Sequence, residues 1–293
     1  MILGTRGSRL ALAQSNIVLR LMKEKYPEEM VELKIVSTVG DRVHDQPLAS
    51  LGGFGAFVKE LDNKILSGEI DVAVNSLKDM PVVPSEGTVI AAILPRGNVE
   101  DVLVSTQPLE RMRPGSVIGT SSVRRRCLLL NLRPDLVVKD LRGNVPTRVG
   151  KMKDGTYDGI IIARAGLERL NLDCTMYVLD PEQFIPAVGQ GAIAIVCKVG
   201  SPYVKMLGAF DDTKTRVCVE AERYVMKSMG GGCSVPIGIW ATKDEGTLRM
   251  RAIVLDEDGT TSFRLDRSIE LESLREGLDS FSKELVYAWE LVK

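Results

Sequence analysis

The sequence is poor in the residues that most catalytic and metal sites use. His44 is the single histidine in 293 residues. A Ser-His-Asp triad or a Cys-His pair would have to use it, and a multi-histidine metal site is excluded. It lies in Gly40-Asp41-Arg42-Val43-His44-Asp45-Gln46-Pro47, a polar, turn-like stretch where a solvated loop histidine is the plain reading. The five cysteines, Cys127, Cys174, Cys197, Cys218 and Cys233, form no C-x-x-C pair, so zinc and thioredoxin-type spacings are missing. Their odd count and wide scatter suggest thiols in a reducing compartment. Aromatic residues make up 5% of the chain, and no aromatic RNA-binding motif is present. Neither sign of charge is in excess: 38 Lys+Arg face 39 Asp+Glu, whereas nucleic-acid-coating proteins carry a basic surplus. Long apolar runs are missing too. The longest uncharged stretches, Gln183 to Cys197 and Ser228 to Thr242, have 15 residues each and contain Pro and Gly, short of the roughly 20 that a membrane helix needs. The strand-like Met1-Ile2-Leu3-Gly4 start has no basic signal region. The expectation is a cytoplasmic protein with no nucleic-acid or membrane partner.

What is present is alternation. A chain of this length suggests about two domains, with a third accommodated. Ile2 to Thr5 reads as a strand, followed by a helix from about Arg9 to Tyr26 with Leu10, Ala13, Ile17 and Leu21 on one face. Glu32 to Thr38 reads as a strand. Phe57, Leu61 and Ile65 mark a helix closed by Gly68. Ile70 to Val74, Thr88 to Leu94, Leu136 to Val138, Gly159 to Ala163 and Gly191 to Cys197 read as further strands. The pattern implies βαβ units and mainly parallel sheets. It restarts near residue 100, and Ile2-Leu3-Gly4-Thr5-x-x-x-Arg9 matches Val117-Ile118-Gly119-Thr120-x-x-x-Arg124 at a constant offset of 115. Two similar α/β lobes are expected, with ligands bound outside the carboxyl ends of the strands and a cleft as the natural site. After about residue 212 the pattern changes to a helix (Thr213 to Met229), antiparallel strands around an Asp256-Glu257-Asp258-Gly259 turn, and a final helix marked by Leu274, Leu278, Phe281 and Leu285.

Arginines collect in the turns. Arg124-Arg125-Arg126 follow Gly119-Thr120-Ser121-Ser122, Arg142 and Arg148 follow the strand near Val138, and Arg6 lies in the first turn. Guanidinium forks suit carboxylates and phosphates, so several facing one cleft imply a small polyanion; solvated helix-end arginines are the plainer alternative. Lys78-Asp79 directly follow a strand. Lys78 suits a carboxylate or, with a lowered pKa, a Schiff base; Asp79 suits positive charge on a substrate; a surface salt bridge accounts for both equally. Leu51-Gly52-Gly53-Phe54-Gly55 is neither a dinucleotide fingerprint nor a P-loop and reads as a flexible loop. Cys233, among Gly230-Gly231-Gly232 and Val235-Pro236-Ile237-Gly238, reads on its own as a small buried residue.

Taken together, Val74-Asn75-Ser76-Leu77-Lys78-Asp79-Met80-Pro81, Gly119-Thr120-Ser121-Ser122-x-Arg124-Arg125, Leu141-Arg142-Gly143-Asn144-x-x-Thr147-Arg148, Pro186-Ala187-Val188-Gly189-Gln190-Gly191 and Gly231-Gly232-Cys233-x-Val235-Pro236-Ile237-Gly238 occur in one order. The chain resembles the porphobilinogen deaminases, also called hydroxymethylbilane synthases, over nearly its whole length. The resemblance implies two α/β lobes like type II periplasmic binding proteins, 1–95 plus 190–210 and 98–187. A small α+β C-terminal domain with an antiparallel sheet, 213–293, would carry the cofactor cysteine. It implies a monomeric transferase of tetrapyrrole and heme biosynthesis that condenses four porphobilinogen molecules with loss of ammonia and releases hydroxymethylbilane with water. It also implies a dipyrromethane cofactor held by a thioether to Cys233, acting as primer. Asp79 maps to the catalytic aspartate, stabilising positive charge that develops on pyrrole nitrogens. Cofactor-binding roles map to Lys78, Asp79, Ser122, Arg124, Arg125 and Arg148, and substrate-binding roles to Arg6, Ser8, Arg142, Arg148 and Arg169. No metal is implied. Phe54 and Asn75 depart from the lysine and histidine frequent in relatives. A polycarboxylate-binding protein without catalysis would also explain lobes and arginines, but it leaves Gly232-Cys233 and the third domain unexplained.

Overall fold

The computed structural model describes residues 1–36, 56–230 and 235–292. His44, the Gly52-Gly53-Phe54-Gly55 loop and Cys233 lie outside the described residues. The chain divides into two compact units, Met1–Gly97 with Gly191–Arg216, and Asn98–Gln190 with Val217–Lys293.

In the first unit β1 (Ile2–Arg6) leads into α1 (Arg9–Lys25). Ser8 caps that helix by accepting from the Ala11 N–H at 3.2 Å, which satisfies one of its orphan donors. Gln14, Val18 and Met22 recur every four residues and are buried, as an amphipathic helix requires. Next come β2 (Glu32–Val36), α2 (Ala56–Leu66), β3 (Val72–Ser76) and β4 (Thr88–Ile93). Gly68 follows α2 at φ +76°, a conformation glycine adopts without strain. The strand that completes this sheet, β10 (Ile193–Lys198), arrives about a hundred residues later in the chain and is followed by α6 (Tyr203–Gly208). The order is β2-β1-β3-β10-β4, with β10 antiparallel to both neighbours and the others parallel to one another. Leu3, Val72, Val74, Ile193 and Ile195 pack with Val18 and Met22 of α1.

In the second unit β5 (Asp101–Ser105), β6 (Val117–Gly119), α3 (Val123–Leu132), β7 (Val137–Lys139), α4 (Val145–Lys153), β8 (Gly159–Ala163), α5 (Arg164–Arg169) and β9 (Met176–Val178) build a sheet ordered β7-β6-β8-β5-β9. The plan is the same, and β5 is the single reversed strand. Side chains along β5 alternate as the pleat demands: Val102 and Val104 join Val149 of α4, while Leu103 joins Leu128 and Leu129 of α3.

The two sheets share finer detail. Gly4 and Gly119 occupy corresponding places on β1 and β6, and each allows close packing. An added Cβ would lie 2.3 Å from Ile70 Cδ1 at Gly4 and 2.9 Å from Tyr157 Cδ1 at Gly119. The repeat does not extend to the arginines. Arg9 is the first residue of α1, whereas Arg124 is the second of α3, because α3 begins four residues after Gly119 and α1 five residues after Gly4.

The second unit also contains α7 (Thr213–Ser228), which begins four residues before the unit boundary, and β11 (Ile237–Lys243), β12 (Thr247–Leu255), β13 (Ser262–Glu270) and α8 (Leu274–Val292). The three strands form an antiparallel sheet in sequence order. Its core joins Ile239, Met250, Ala252 and Val254 to Val225 of α7 and to Phe281 and Leu285 of α8. The β12–β13 turn docks on α3: Asn131 Nδ2 donates to the Gly259 carbonyl at 3.0 Å. Gly259, at φ +74°, comes so close that a Cβ would lie 2.4 Å from the Cys127 carbonyl oxygen.

Candidate active site

The first group of predicted residues gathers at the carboxyl edge of the first sheet. β1 and β3 are parallel neighbours, so Arg6, which ends β1, and the turn after Ser76 lie at one edge. A single helical turn, Leu77–Asp79, continues β3. It is anchored by the Leu77 N–H donating to the Ala192 carbonyl at 3.1 Å and the Met80 N–H to Leu77 at 3.1 Å. Leu77 and Met80 are buried, while Lys78 and Asp79 between them are half-buried. The apolar pair thus fixes a turn that presents the charged pair. Gln14 of α1 and Ser76 hydrogen-bond at 2.7 Å, tying the helix that follows β1 to the end of β3. Ser8, half-buried, has its hydroxyl on the α1 cap. Asn75, just before this turn, is 6% exposed, and its Nδ2 has no hydrogen-bond partner among the described residues.

The second group gathers at the corresponding edge of the second sheet. Ser122 caps α3, accepting from the Arg125 N–H at 3.4 Å, and Ser121 Oγ donates to the Leu141 carbonyl at 2.9 Å. That bond joins the β6–α3 turn to the turn after β7. There Asn144 caps α4 through Thr147, and Arg148 Nε donates to the Gly143 carbonyl at 2.7 Å. Gly143 takes φ +113°, which brings the Thr147 side chain close. Arg142 is exposed and Arg148 half-buried. Arg169 closes α5, half-buried, with its guanidinium pKa pulled down by burial.

Arg124 and Arg125 differ from the rest, being 6% and 7% exposed. Both converge on Asp101, which is fully buried. Arg124 Nη2 donates to Asp101 Oδ2 at 2.7 Å, and Arg125 Nη2 and Nε donate to Oδ1 at 2.7 and 3.0 Å. Arg124 Nη1 also reaches the Ile185 carbonyl at 2.8 Å, and Arg125 Nη1 the Ile161 carbonyl at 3.3 Å. Asp101 opens the antiparallel strand β5 and pairs with Ala163, the last residue of β8. The reversed strand therefore delivers its first residue to the edge where its neighbours deliver their last. Burial alone would push the Asp101 carboxyl up, but the two guanidinium charges and their hydrogen bonds hold it well below the usual carboxylate range. Sequence reasoning missed Asp101. The signal was there: a carboxylate at the head of the apolar Val102-Leu103-Val104 needs a cation, and an arginine pair stands 23 and 24 residues on.

The remaining motifs meet around Ile185. The Ile239 N–H donates to the Pro186 carbonyl at 3.1 Å. Fully buried Glu222 of α7 accepts from the Gly189 N–H at 2.7 Å and the Ala241 N–H at 2.9 Å. Glu222 was likewise not anticipated. The Pro186–Gly191 segment and the strand after the cysteine loop are thus bonded to each other, although Cys233 itself is outside the described residues. Among the described residues, no group of three or more His, Cys, Asp or Glu side chains is placed to hold a metal.

Residues 1–205 match the family described as "Porphobilinogen deaminase, dipyromethane cofactor binding domain", and residues 216–278 match "Porphobilinogen deaminase, C-terminal domain". A "Probable porphobilinogen deaminase" of Methanosarcina acetivorans is 43% identical over 276 residues, covering 92% of this chain and 86% of that one. A "Porphobilinogen deaminase" of Sulfurimonas denitrificans is 39% identical over 300 residues, covering 98% and 96%. Among solved structures, the chain is similar to "Methionine Binding Protein, MetQ", 14% identical, with a TM-score of 0.44 over 74% of this chain and 92% of that one. With family matches over most of its length and relatives about 40% identical, the chain belongs to the porphobilinogen deaminase family.

Proposed function

We propose that this chain is a hydroxymethylbilane synthase, a transferase that condenses four porphobilinogen molecules and releases the linear tetrapyrrole. Each condensation forms one carbon–carbon bond and expels one ammonia, and water releases the product. The observation that carries the reading is the match of residues 1–205 to a family domain described by its dipyrromethane cofactor. The donor chemistry fits such a group. Pyrroles with acetate and propionate arms are polycarboxylates, and two buried guanidiniums share one protein carboxylate, which leaves one positive charge for a ligand anion. When bound, dipyrromethane supplies the nucleophilic carbon onto which substrate is added. In this reading Cys233 holds it by a thioether.

Asp79 is the catalytic residue. On a rigid, half-buried turn, its carboxylate offsets the positive charge that develops at a pyrrole nitrogen, and a fixed dipole or charge of this kind needs no reorganisation during reaction. Lys78, Ser122, Arg124, Arg125 and Arg148 bind cofactor carboxylates. Arg6, Ser8, Arg142, Arg148 and Arg169 bind substrate carboxylates. Guanidinium forks and a lysine ammonium match carboxylate geometry, so their role is binding and orientation. The reading brings with it a cytoplasmic monomer in heme-type biosynthesis, without nucleic-acid or membrane partners.

Intact mass of the protein and of its Cys233→Ser variant, after incubation with porphobilinogen, tests the reading. The expected result is an adduct of two linked pyrroles on the wild type and none on the variant. A wild-type protein that gains no adduct and releases no ammonia overturns it.

A further inference from the structure

We propose that Asp101 is a positioning residue that builds Arg124 and Arg125 into a site for a single ligand carboxylate, with Gln190 as its third fastening. The inference rests on the reading of the two arginines as carboxylate binders and adds how that binding is prepared.

Asp101 itself has no exposed surface, so it acts through the arginines and not on a ligand. Both of its oxygens are occupied. Oδ2 accepts from Arg124 at 2.7 Å; Oδ1 accepts from Arg125 at 2.7 and 3.0 Å and from Gln190 Nε2 at 3.0 Å. Gln190 is also fully buried, and the same nitrogen donates to the Val99 carbonyl at 2.7 Å. Gln190 therefore clamps Asp101 to the backbone two residues before it. Val99 lies just after the chain enters the second unit, and Gln190 is the last residue before it leaves.

Charge counting gives the site its capacity. Asp101 is the only carboxylate bonded to either guanidinium among the described residues. Two cations and one anion leave one positive charge beneath the surface. The Ile185 and Ile161 carbonyls, and the Phe184 ring 6.0 Å from Arg124 Cζ, disperse that charge without neutralising it. A buried surplus charge is costly, and one ligand carboxylate relieves it. Five of the ten guanidinium N–H groups donate to these protein atoms. Each arginine keeps a small exposed fraction, 6% and 7%, and the proposed ligand meets them there. A second protein carboxylate in place of Gln190 would close the site by neutralising it. A neutral residue in place of Asp101 would leave two like charges with nothing to orient them.

The test uses cofactor-free protein and its Asp101→Asn and Asp101→Glu variants. Folding is checked by near-ultraviolet circular dichroism. Two readouts follow: the rate at which porphobilinogen adds the two-pyrrole adduct by mass, and hydrogen exchange of the Arg125 Nε–H by nitrogen-15 NMR. Asp101→Asn is expected to slow adduct formation about 100-fold, the size of effect seen when one partner of a buried charge pair is removed, and to speed Nε–H exchange. Asp101→Glu keeps the charge and is expected to fall between. A folded Asp101→Asn protein with the wild-type rate and wild-type exchange overturns the inference. If Asp101→Asn does not fold, Asp101→Glu decides: a slowed rate supports positioning, and a wild-type rate overturns it. A wild-type protein that gains no adduct overturns the functional reading beneath, a result distinct from either.

Discussion

Asp71 and Asp158 hold the same position in the two five-stranded sheets. Asp71 Oδ2 accepts the Ile2 N–H at 2.7 Å, and its own N–H donates to the Ile2 carbonyl at 2.9 Å. Asp158 does the same with Val117, at 2.6 and 2.9 Å. Each carboxylate thus fastens the start of a central strand to the neighbouring parallel strand, one residue before that strand begins. The two differ in solvent access: Asp71 is half-buried and Asp158 exposed. A charge-assisted hydrogen bond gains strength as water is excluded. Asp71→Ala is therefore expected to cost about 1–3 kcal/mol in urea denaturation, and Asp158→Ala less. Equal losses, or the reverse order, would contradict this account.

Gly238 tests the packing between the cysteine-loop strand and the Pro186 motif. A Cβ there would lie 2.5 Å from the Ile185 carbonyl oxygen and 3.0 Å from Ile185 Cβ. Backbone must move to admit it, and the same carbonyl accepts the Arg124 guanidinium at 2.8 Å. Gly238→Ala is expected to destabilise the protein by about 1–3 kcal/mol, as overpacking does, and to slow adduct formation in the protein that remains folded. A urea midpoint within error of wild type would show that Ile185 yields without cost.

Several of these relationships were legible in the sequence. The strand Gly159–Ala163 was read with its exact ends, and β10 was read as a late strand, two residues early. β3 was placed two residues early because Ile70 and Asp71 look like strand residues. Their side chains instead serve β1, one packing under Gly4 and the other accepting from Ile2. β5 and β9 were not read. β5 is buried on both faces and so shows no polar alternation, and it begins with a charge. β9 is a three-residue edge strand, too short for any period. The arginine motif reads as ligand chemistry in the sequence, whereas its pairing with Asp101 does not show there, since the reversed course of β5 brings the two together. Phe54 and Cys233 lie outside the described residues.

Asp79 should be separable from the fold. Its neighbours Leu77 and Met80 carry the burial of the turn, at 1% and 7% exposed, while the Asp79 side chain remains half-buried. Replacement by Asn removes charge and little packing. Asp79→Asn is expected to keep wild-type circular dichroism and lose about 100-fold or more in turnover, the scale on which lost electrostatic stabilisation of a transition state is measured. Turnover within a few-fold of wild type would remove Asp79 from the catalytic role.

Acid stability gives an independent reading of Asp101. Its carboxyl lies well below the ordinary value in the folded protein, held there by Arg124 and Arg125 against burial. In the unfolded chain an aspartate titrates at about 3.9. A depressed folded pKa contributes stability that is fully present above the unfolded value and is lost as pH falls from there through the folded one. At neutral pH, wild type is expected to exceed Asp101→Asn by about 3–5 kcal/mol, the cost of breaking a buried pair. That gap should stay level from pH 8 to about pH 5 and narrow below about pH 4. Urea midpoints of both proteins across the range measure it directly. A gap that stays level down to the lowest accessible pH would mean that Asp101 titrates alike in both states. The guanidinium pair would then not be what keeps it ionised.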